Sequence, residues 1–427
     1  MPAPPRTRQT LVAAALVAAG VIGALLLMRE KPAASLGAKR SKLVAASRMQ
    51  PELGPRPQQA EMISSPQAAE QLWREAPTRS GVDASNSYKN AFVLFDRLSE
   101  EEKKMLREPR AEVDEEKAAA LFEKIRAIME LLREAAKADY CEWGQAPYSF
   151  DTPMPQITKA QDLGKLALWA AAYQFPTDPA AALTALADRA QLGHHLADTL
   201  IGVLVQTSFE RSAHDLLLQH AGSFDPATAT QAREILKGSK LDDDLARAFV
   251  SEAVMVGAIG KQLAAEREKG GTEMLSMILA PTEHAKDQAT AKRLYESISD
   301  PVRLAAEVAF IQEYQRALAA ALKLPEAEYQ AWRQSMEGKL NGDHPLAQMI
   351  VPTINSVQPR LQQTRVERTL LSAGLEVMQG GPAQLARYRD PATGQALLYV
   401  PTPTGFELRS TYQVKGKPVT MSFSQRK

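Results

Sequence analysis

Three Asp-Pro pairs, Asp178-Pro179, Asp225-Pro226 and Asp300-Pro301, do most to constrain how this chain can fold. Each puts a carboxylate acceptor at a helix N-cap and a proline at the first helical position, where a missing N–H loses no intrahelical bond. Ser99 with Glu102 has the capping-box form at a fourth helix start. Leu121, Ile125, Ile128 and Leu132 recur at helical spacing, with Glu123, Lys124, Arg126 and Glu130 on the other side. Leu163, Leu166, Trp169 and Ala170 form another stripe, and Leu196, Leu200, Val203 and Leu204 a third. Further helices are expected near residues 242–267, 301–322, 326–336 and 345–379, the last kinked or broken at Pro352 and Pro359. An aromatic content of 6% suits Ala- and Leu-rich helices better than a large β-sandwich. Asp178 and Asp225 lie 47 residues apart, a helical-pair repeat length, but no pattern recurs at the next step. The expectation for residues 86–379 is an irregular multi-helix bundle of about ten helices. Residues 141–157, with their prolines and aromatic side chains, are expected to form an ordered loop on its surface.

The tail changes period. Phe406 and Leu408 alternate with Glu407 and Arg409, and Val419, Met421 and Phe423 with Thr420 and Ser422. With residues 396–400 these predict three short strands, a small C-terminal antiparallel β-meander over residues 385–427. Asp390-Pro391-Ala392-Thr393-Gly394 is turn chemistry, with glycine available for a positive φ. A lone three-stranded meander needs cover, and the helix ending near Gln379 is the expected cover.

The N-terminus is of another kind. Residues 11–28 are entirely Leu, Val, Ile, Ala, Gly and Met, at the short end of the roughly 17–25 residues that span a bilayer as a helix. A cleavable signal would need a small-x-small site nearer the apolar run than Ala33-Ala34-Ser35, which lies beyond Arg29, Glu30 and Lys31. A lipoprotein would need a cysteine just after the run. One uncleaved N-terminal transmembrane helix at residues 10–28, behind a basic tail of residues 1–9, is the reading that fits. The lysine and arginine count on its two sides favours a cytoplasmic body, whereas a short basic tail before an apolar run is the usual export signal. We read the body as extracytoplasmic, on the periplasmic side. Residues 29–80, rich in Pro, Ala, Ser and Gln, read as a disordered tether. The net charge of +1 hides this division. Nine of the 51 basic side chains and two of the 50 acidic ones lie in residues 1–60, leaving 42 basic against 48 acidic for the rest. A mildly acidic body gives no basis for nucleic-acid binding.

Chemistry-bearing motifs are scarce. No Gly-x-Gly-x-x-Gly, phosphate loop, His-Glu-x-x-His or Gly-x-Ser-x-Gly occurs. Cys141 is the only cysteine, which removes any internal disulfide or thiolate-only metal cage, and a buried thiol beside Trp143 is its simplest reading. The best residual cluster is His194, His195, Asp198, Glu210, His214 and His220, in which His194/Asp198 and Glu210/His214 are i, i+4 pairs. Two adjacent helices bringing these together would make a metal site; solvated or capping polar residues explain them equally well. No catalytic residue, cofactor-binding residue or metal ligand is assigned on this basis.

Asn90-Ala91-Phe92-Val93-Leu94-Phe95, Cys141-Glu142-Trp143-Gly144, the helical region 196–218, Asp390-Pro391-Ala392-Thr393-Gly394 and Gly405-Phe406-Glu407-Leu408-Arg409-Ser410 occur in this order. Together they resemble a family of uncharacterised membrane-anchored helical proteins of planctomycete- and verrucomicrobia-like bacteria. The resemblance implies an anchored helical body and carries over no catalytic residue. The tail alone is similar to the end of pseudopilins, but here the apolar helix is not contiguous with it and no processing site precedes Leu11. Two functions follow as expectations. The first is a single-pass, non-enzymatic interaction or structural component of the cell envelope, bound to the membrane through residues 10–28 and to an unidentified protein partner or to itself. The alternative is a membrane-anchored metal-dependent enzyme using His194, His195, His214 and His220.

Overall fold

The computed structural model describes residues 81–107, 114–143, 155–268, 296–297, 300–322, 324, 326–340, 344–348, 351 and 357–424. The expected anchor, the tether, most of the 141–157 loop and Pro352 lie outside them. The chain is mostly helical. In order come α1 (Ser85–Asp96), α2 (Glu100–Arg107), α3 (Glu115–Ala136), α4 (Pro155–Gln174), α5 (Pro179–Leu196) and α6 (Leu200–His220). Then follow α7 (Pro226–Lys237), α8 (Leu241–Glu268), α9 (Pro301–Ala321), α10 (Glu326–Leu340) and α11 (Val357–Gly380). The sheet is β1 (Leu398–Thr402), β2 (Gly405–Val414) and β3 (Lys417–Ser424).

All three Asp-Pro pairs start helices as their chemistry dictates. Asp178 accepts from the Ala181 N–H, Asp225 from Thr228, and Asp300 from Val302 and Arg303. The Ser99 capping box forms in both directions: Ser99 N–H donates to the Glu102 carboxylate at 2.7 Å, and Glu102 N–H to Ser99 Oγ at 3.3 Å. Two expectations need correction. Pro155 opens α4, so residues 155–157 are helix and not loop. Pro359 stands in the first turn of α11, where its missing N–H costs no bond, and so it kinks nothing.

Among the described residues the buried side chains form three cores. Tyr88, Ile125, Leu132, Leu163 and Leu166 belong to the first, which joins α1–α6. The second gathers Leu241, Phe249, Ile311, Tyr314 and Leu361 from α8–α11 onto the start of α6. A third runs between α4, α5, α6, α7, α11 and the sheet. Helix α6 feeds all three, through Val205 and Phe209, through Leu200, Val203 and Leu204, and through Leu216 and Leu217.

The stretch Pro226–Ala265 is long and apolar enough to cross a membrane by length and composition. Inside the fold it is two helices, α7 and α8, and half of its apolar window is buried in the protein. Its second helix also buries Asp244 and Glu252, so we read it as core.

The C-terminal sheet is the expected meander, antiparallel in the order β1-β2-β3. Helix α11 covers it, and the approach is so close that a Cβ at Gly374 would overlap the Phe423 ring. The Asp390 turn is fastened by its first residue. Asp390, 1% exposed, accepts from the Ser410 hydroxyl, from Thr411 N–H at 3.0 Å and from Ala392 N–H at 2.9 Å. Burial alone would raise its pKa, but these hydrogen bonds outweigh it and hold the carboxyl below its ordinary value. Gly394 closes the turn at φ +70°, and its N–H donates to Asp390 O at 2.8 Å. Two separated motifs, at 390–394 and 405–410, are thus one clasp. Asp390→Ala strands the buried Ser410 hydroxyl and the Thr411 N–H. It is expected to cost about 2–4 kcal/mol, measured by urea unfolding, with protease sensitivity confined to the meander.

Candidate functional site

Because α6 packs against α4, α5, α8 and α11, four of the polar side chains in its middle turns are buried. Gln206 is 2% exposed, Thr207 4%, Glu210 9% and His214 3%. A buried polar group must find a partner or cost stability, so these residues decide which neighbours α6 accepts. The densest arrangement is a polar seam between α5, α6 and α8. Its centre is Asp244, which is fully buried in the first turn of α8. Its carboxylate lies 2.8 Å from His194 Nδ1, accepts from Gln206 Nε2 at 2.8 Å, and pairs with Arg247 Nη2 at 2.9 Å. Arg247 also reaches the His194 carbonyl at 3.3 Å and pairs with Asp198 at 3.3 Å. One carboxylate therefore ties three helices together.

Chemically, a carboxylate on Nδ1 fixes an imidazole in the Nδ1–H tautomer and leaves Nε2 with the lone pair. No hydrogen bond to His194 Nε2 is formed among the described residues, and the side chain is 13% exposed. A general base needs more than this: a group to deprotonate and a place for substrate. Among the described residues no hydrogen bond joins His194 to a hydroxyl or a thiol.

The other flagged residues go elsewhere. His195 Nδ1 meets the Tyr88 hydroxyl at 2.9 Å, and its Nε2 lies 3.2 Å from the Ala138 carbonyl. Trp143 donates its indole N–H to the His195 carbonyl at 2.8 Å and stacks on Tyr88, with 5.3 Å between ring centroids. Glu210 accepts from Ser239 at 2.6 Å and faces Arg368 at 3.7 Å. His214 is buried, with no hydrogen bond to Nδ1. His220 stacks on Phe175 at 4.6 Å. Among the described residues no group of three His, Cys, Asp or Glu is placed to hold a metal ion. The set His194, His195, His214 and His220 is therefore corrected: the i, i+4 spacing does put Glu210 and His214 on one face, but the helices that meet that face bring Arg368 and Ser239, not further ligands. Cys141 is buried as expected, and burial pushes its thiol well up.

The most telling residues are ones that sequence reasoning passed over. Asp244 ends the run Asp242-Asp243-Asp244, which reads as first-turn acids complementing a helix dipole. Yet Asp244 and Glu252 recur at helical spacing on the stripe of Leu241, Leu245 and Ala248, a charge placement that does mark buried polar contact. Arg189, 4% exposed, is a buried cation that donates to the Gly164 carbonyl at 2.7 Å, to the Phe209 carbonyl and to Ser212 Oγ at 2.7 Å. Its guanidinium sits 4.4 Å from the Phe209 ring centroid. Burial lowers its pKa to about 9, so it keeps its charge at neutral pH.

Comparison with known protein families, with curated proteins and with solved structures finds no match to this chain. Its chemistry therefore rests on the geometry alone.

That geometry makes the buried histidines sensitive to acid. Burial lowers His214 to about 3, helped by the Arg368 and Arg211 charges, and lowers His195 to about 4. Both stay neutral in the fold while the unfolded chain takes up protons below 6.5, so their contribution is present above that pH and is lost as pH falls toward 4 and 3. Asp188, raised to about 6 by burial despite Arg133, works in the opposite sense over that range. His214→Leu should therefore gain stability relative to the parent by roughly 3 kcal/mol between pH 7 and pH 4. Chemical denaturation at the two pH values checks this; a difference that does not change with pH contradicts it.

Proposed function

We propose that this chain is a single-pass, membrane-anchored helical protein that acts by binding, either another protein or a second copy of itself, in the cell envelope. Residues 10–28 form the anchor and residues 29–80 the tether, with the body on the extracytoplasmic side. The observation that carries the reading is where the buried ionisable groups go. His194, Asp198, Asp244 and Arg247 are spent on one inter-helix joint, and Glu210 and Arg368 on another. Arg189 is spent on backbone carbonyls. Groups that would carry catalysis are thus used to hold helices together. The anchor itself rests on the apolar run at residues 11–28 and its basic flanks. The resemblance to membrane-anchored helical proteins of planctomycete- and verrucomicrobia-like bacteria supports the same arrangement.

The test uses the full chain and a variant lacking residues 1–30, both expressed in a bacterial host. The full chain is expected to stay with membranes through alkaline extraction and the variant to be released, with crosslinking on membranes recovering the full chain in a defined complex or homo-oligomer. Release of the full chain by alkali would remove the anchor, and absence of both partner and self-association would remove the binding role. Stoichiometric zinc or iron in the purified body, lost on His195→Ala and His214→Ala, would restore the enzymatic alternative.

A further inference from the structure

The joint between α6 and α8 contains a second carboxyl that the Asp244 network does not use. Glu252 lies two turns along α8 from Asp244, is 9% exposed, and accepts from the Leu200 N–H at 3.1 Å. That N–H is the first of α6, beside the Thr199 cap, whose hydroxyl accepts from Gly202 N–H at 3.1 Å. Leu200, Val203, Leu204 and Phe249, all buried, share the core at this joint. Helices α8 and α9 pack closely on each other, and their core meets the rest of the protein at this start of α6. Glu252 therefore sits where one group of helices docks on another.

We propose that Glu252 is a proton-operated latch: protonated, it lets α8 and its partner α9 dock on α6, and on ionising it lets them part. Among the described residues the groups facing the joint leave it without a counter-charge. On the α5–α6 turn, Asp198 pairs with Arg247 and His194 with Asp244. His195 is held by Tyr88, and Glu210 by Ser239 and Arg368. On α8 itself, Asp244 and Arg247 are committed to each other and to His194. On α9, Glu307 accepts from Ser297 and from the Ala347 N–H with His344 at 3.8 Å, while Arg303, Glu313 and Arg316 are exposed. Among the described residues, what remains for a Glu252 carboxylate is one backbone N–H, too little to replace its hydration. Burial accordingly raises its pKa from 4.5 to about 7, against the smaller opposing effect of the Leu200 N–H. Between pH 4.5, where the exposed carboxyl ionises, and about pH 7, where the docked one does, opening releases a proton, so opening becomes easier as pH rises through that range and levels off above it.

The test is hydrogen exchange read by mass spectrometry on the full chain at about pH 6 and about pH 8.5, expressed as protection factors corrected for intrinsic exchange. Protection in α8 and the first two turns of α6 is expected to fall about 10-fold at the higher pH, with α1–α4 unchanged. Glu252→Gln should abolish the difference. So should Glu252→Met, which keeps the volume without the amide and guards against a misfolded first variant. No loss of protection at high pH, a loss shared equally by all helices, or a loss that persists in a folded Glu252→Gln protein would each overturn the latch.

Discussion

The structure depends on one helix that is packed around most of its circumference, with only Ser208, Arg211, Asp215 and Gln219 left exposed along it. Along α6, residues from Leu200 to Leu217 enter three separate cores, so the helix is enclosed for most of its length. A helix so enclosed is normally apolar throughout, yet this one carries Gln206, Thr207, Glu210 and His214 inward. Thr207 bonds back to the Val203 carbonyl of its own helix, whereas Gln206 and Glu210 need a match from a neighbouring helix. Asp244 from α8 meets Gln206, Ser239 and Arg368 meet Glu210, and Arg189 from α5 meets the Phe209 carbonyl. Helices α5, α8 and α11 are thus each fastened to α6 by a particular polar contact and not by a repeated packing unit.

Burial of so many ionisable groups has two opposite consequences for proton binding. Histidines kept neutral inside the fold lose stability as acid rises, whereas carboxyls kept protonated inside it gain. His195 and His214 belong to the first kind, and Asp188 and Glu252 to the second. Their ranges overlap between pH 4 and pH 7, so the whole protein can be nearly indifferent to pH while individual joints are not. A local response at the α6–α8 joint is compatible with a stable fold for that reason.

Much of this architecture is legible in the sequence, and the illegible part has a physical reason. Local chemistry reads well: Asp178, Asp225 and Asp300 cap helices, Ser99 and Glu102 form their box, and the alternation at Phe406–Leu408 and Val419–Phe423 gives two of the strands. The covering role of α11 is also readable, because a small sheet needs one apolar partner and one lay nearby. Partner choice across the fold is not readable. Spacing on α6 puts Glu210 and His214 on a common face, but nothing local says that Arg368, more than 150 residues later, closes that face instead of another histidine. Asp244 was hidden for a similar reason, since a first-turn aspartate is normally a solvated dipole partner. Only its place on the stripe of Leu241 and Leu245 distinguishes it from Asp243, which is exposed.

The claim that buried polar bonds to Asp244 and its neighbours hold the helices in place is tested most directly at the His194 ring. Nitrogen-15 NMR of the histidine side chains, in the folded protein at neutral pH, reports tautomer and hydrogen bonding one ring at a time. Expected for His194 is a single Nδ1–H tautomer with a strongly deshielded, slowly exchanging Nδ1 proton that disappears in Asp244→Asn. A His194 ring averaged between its tautomers, with a rapidly exchanging proton and no response to Asp244→Asn, would contradict it.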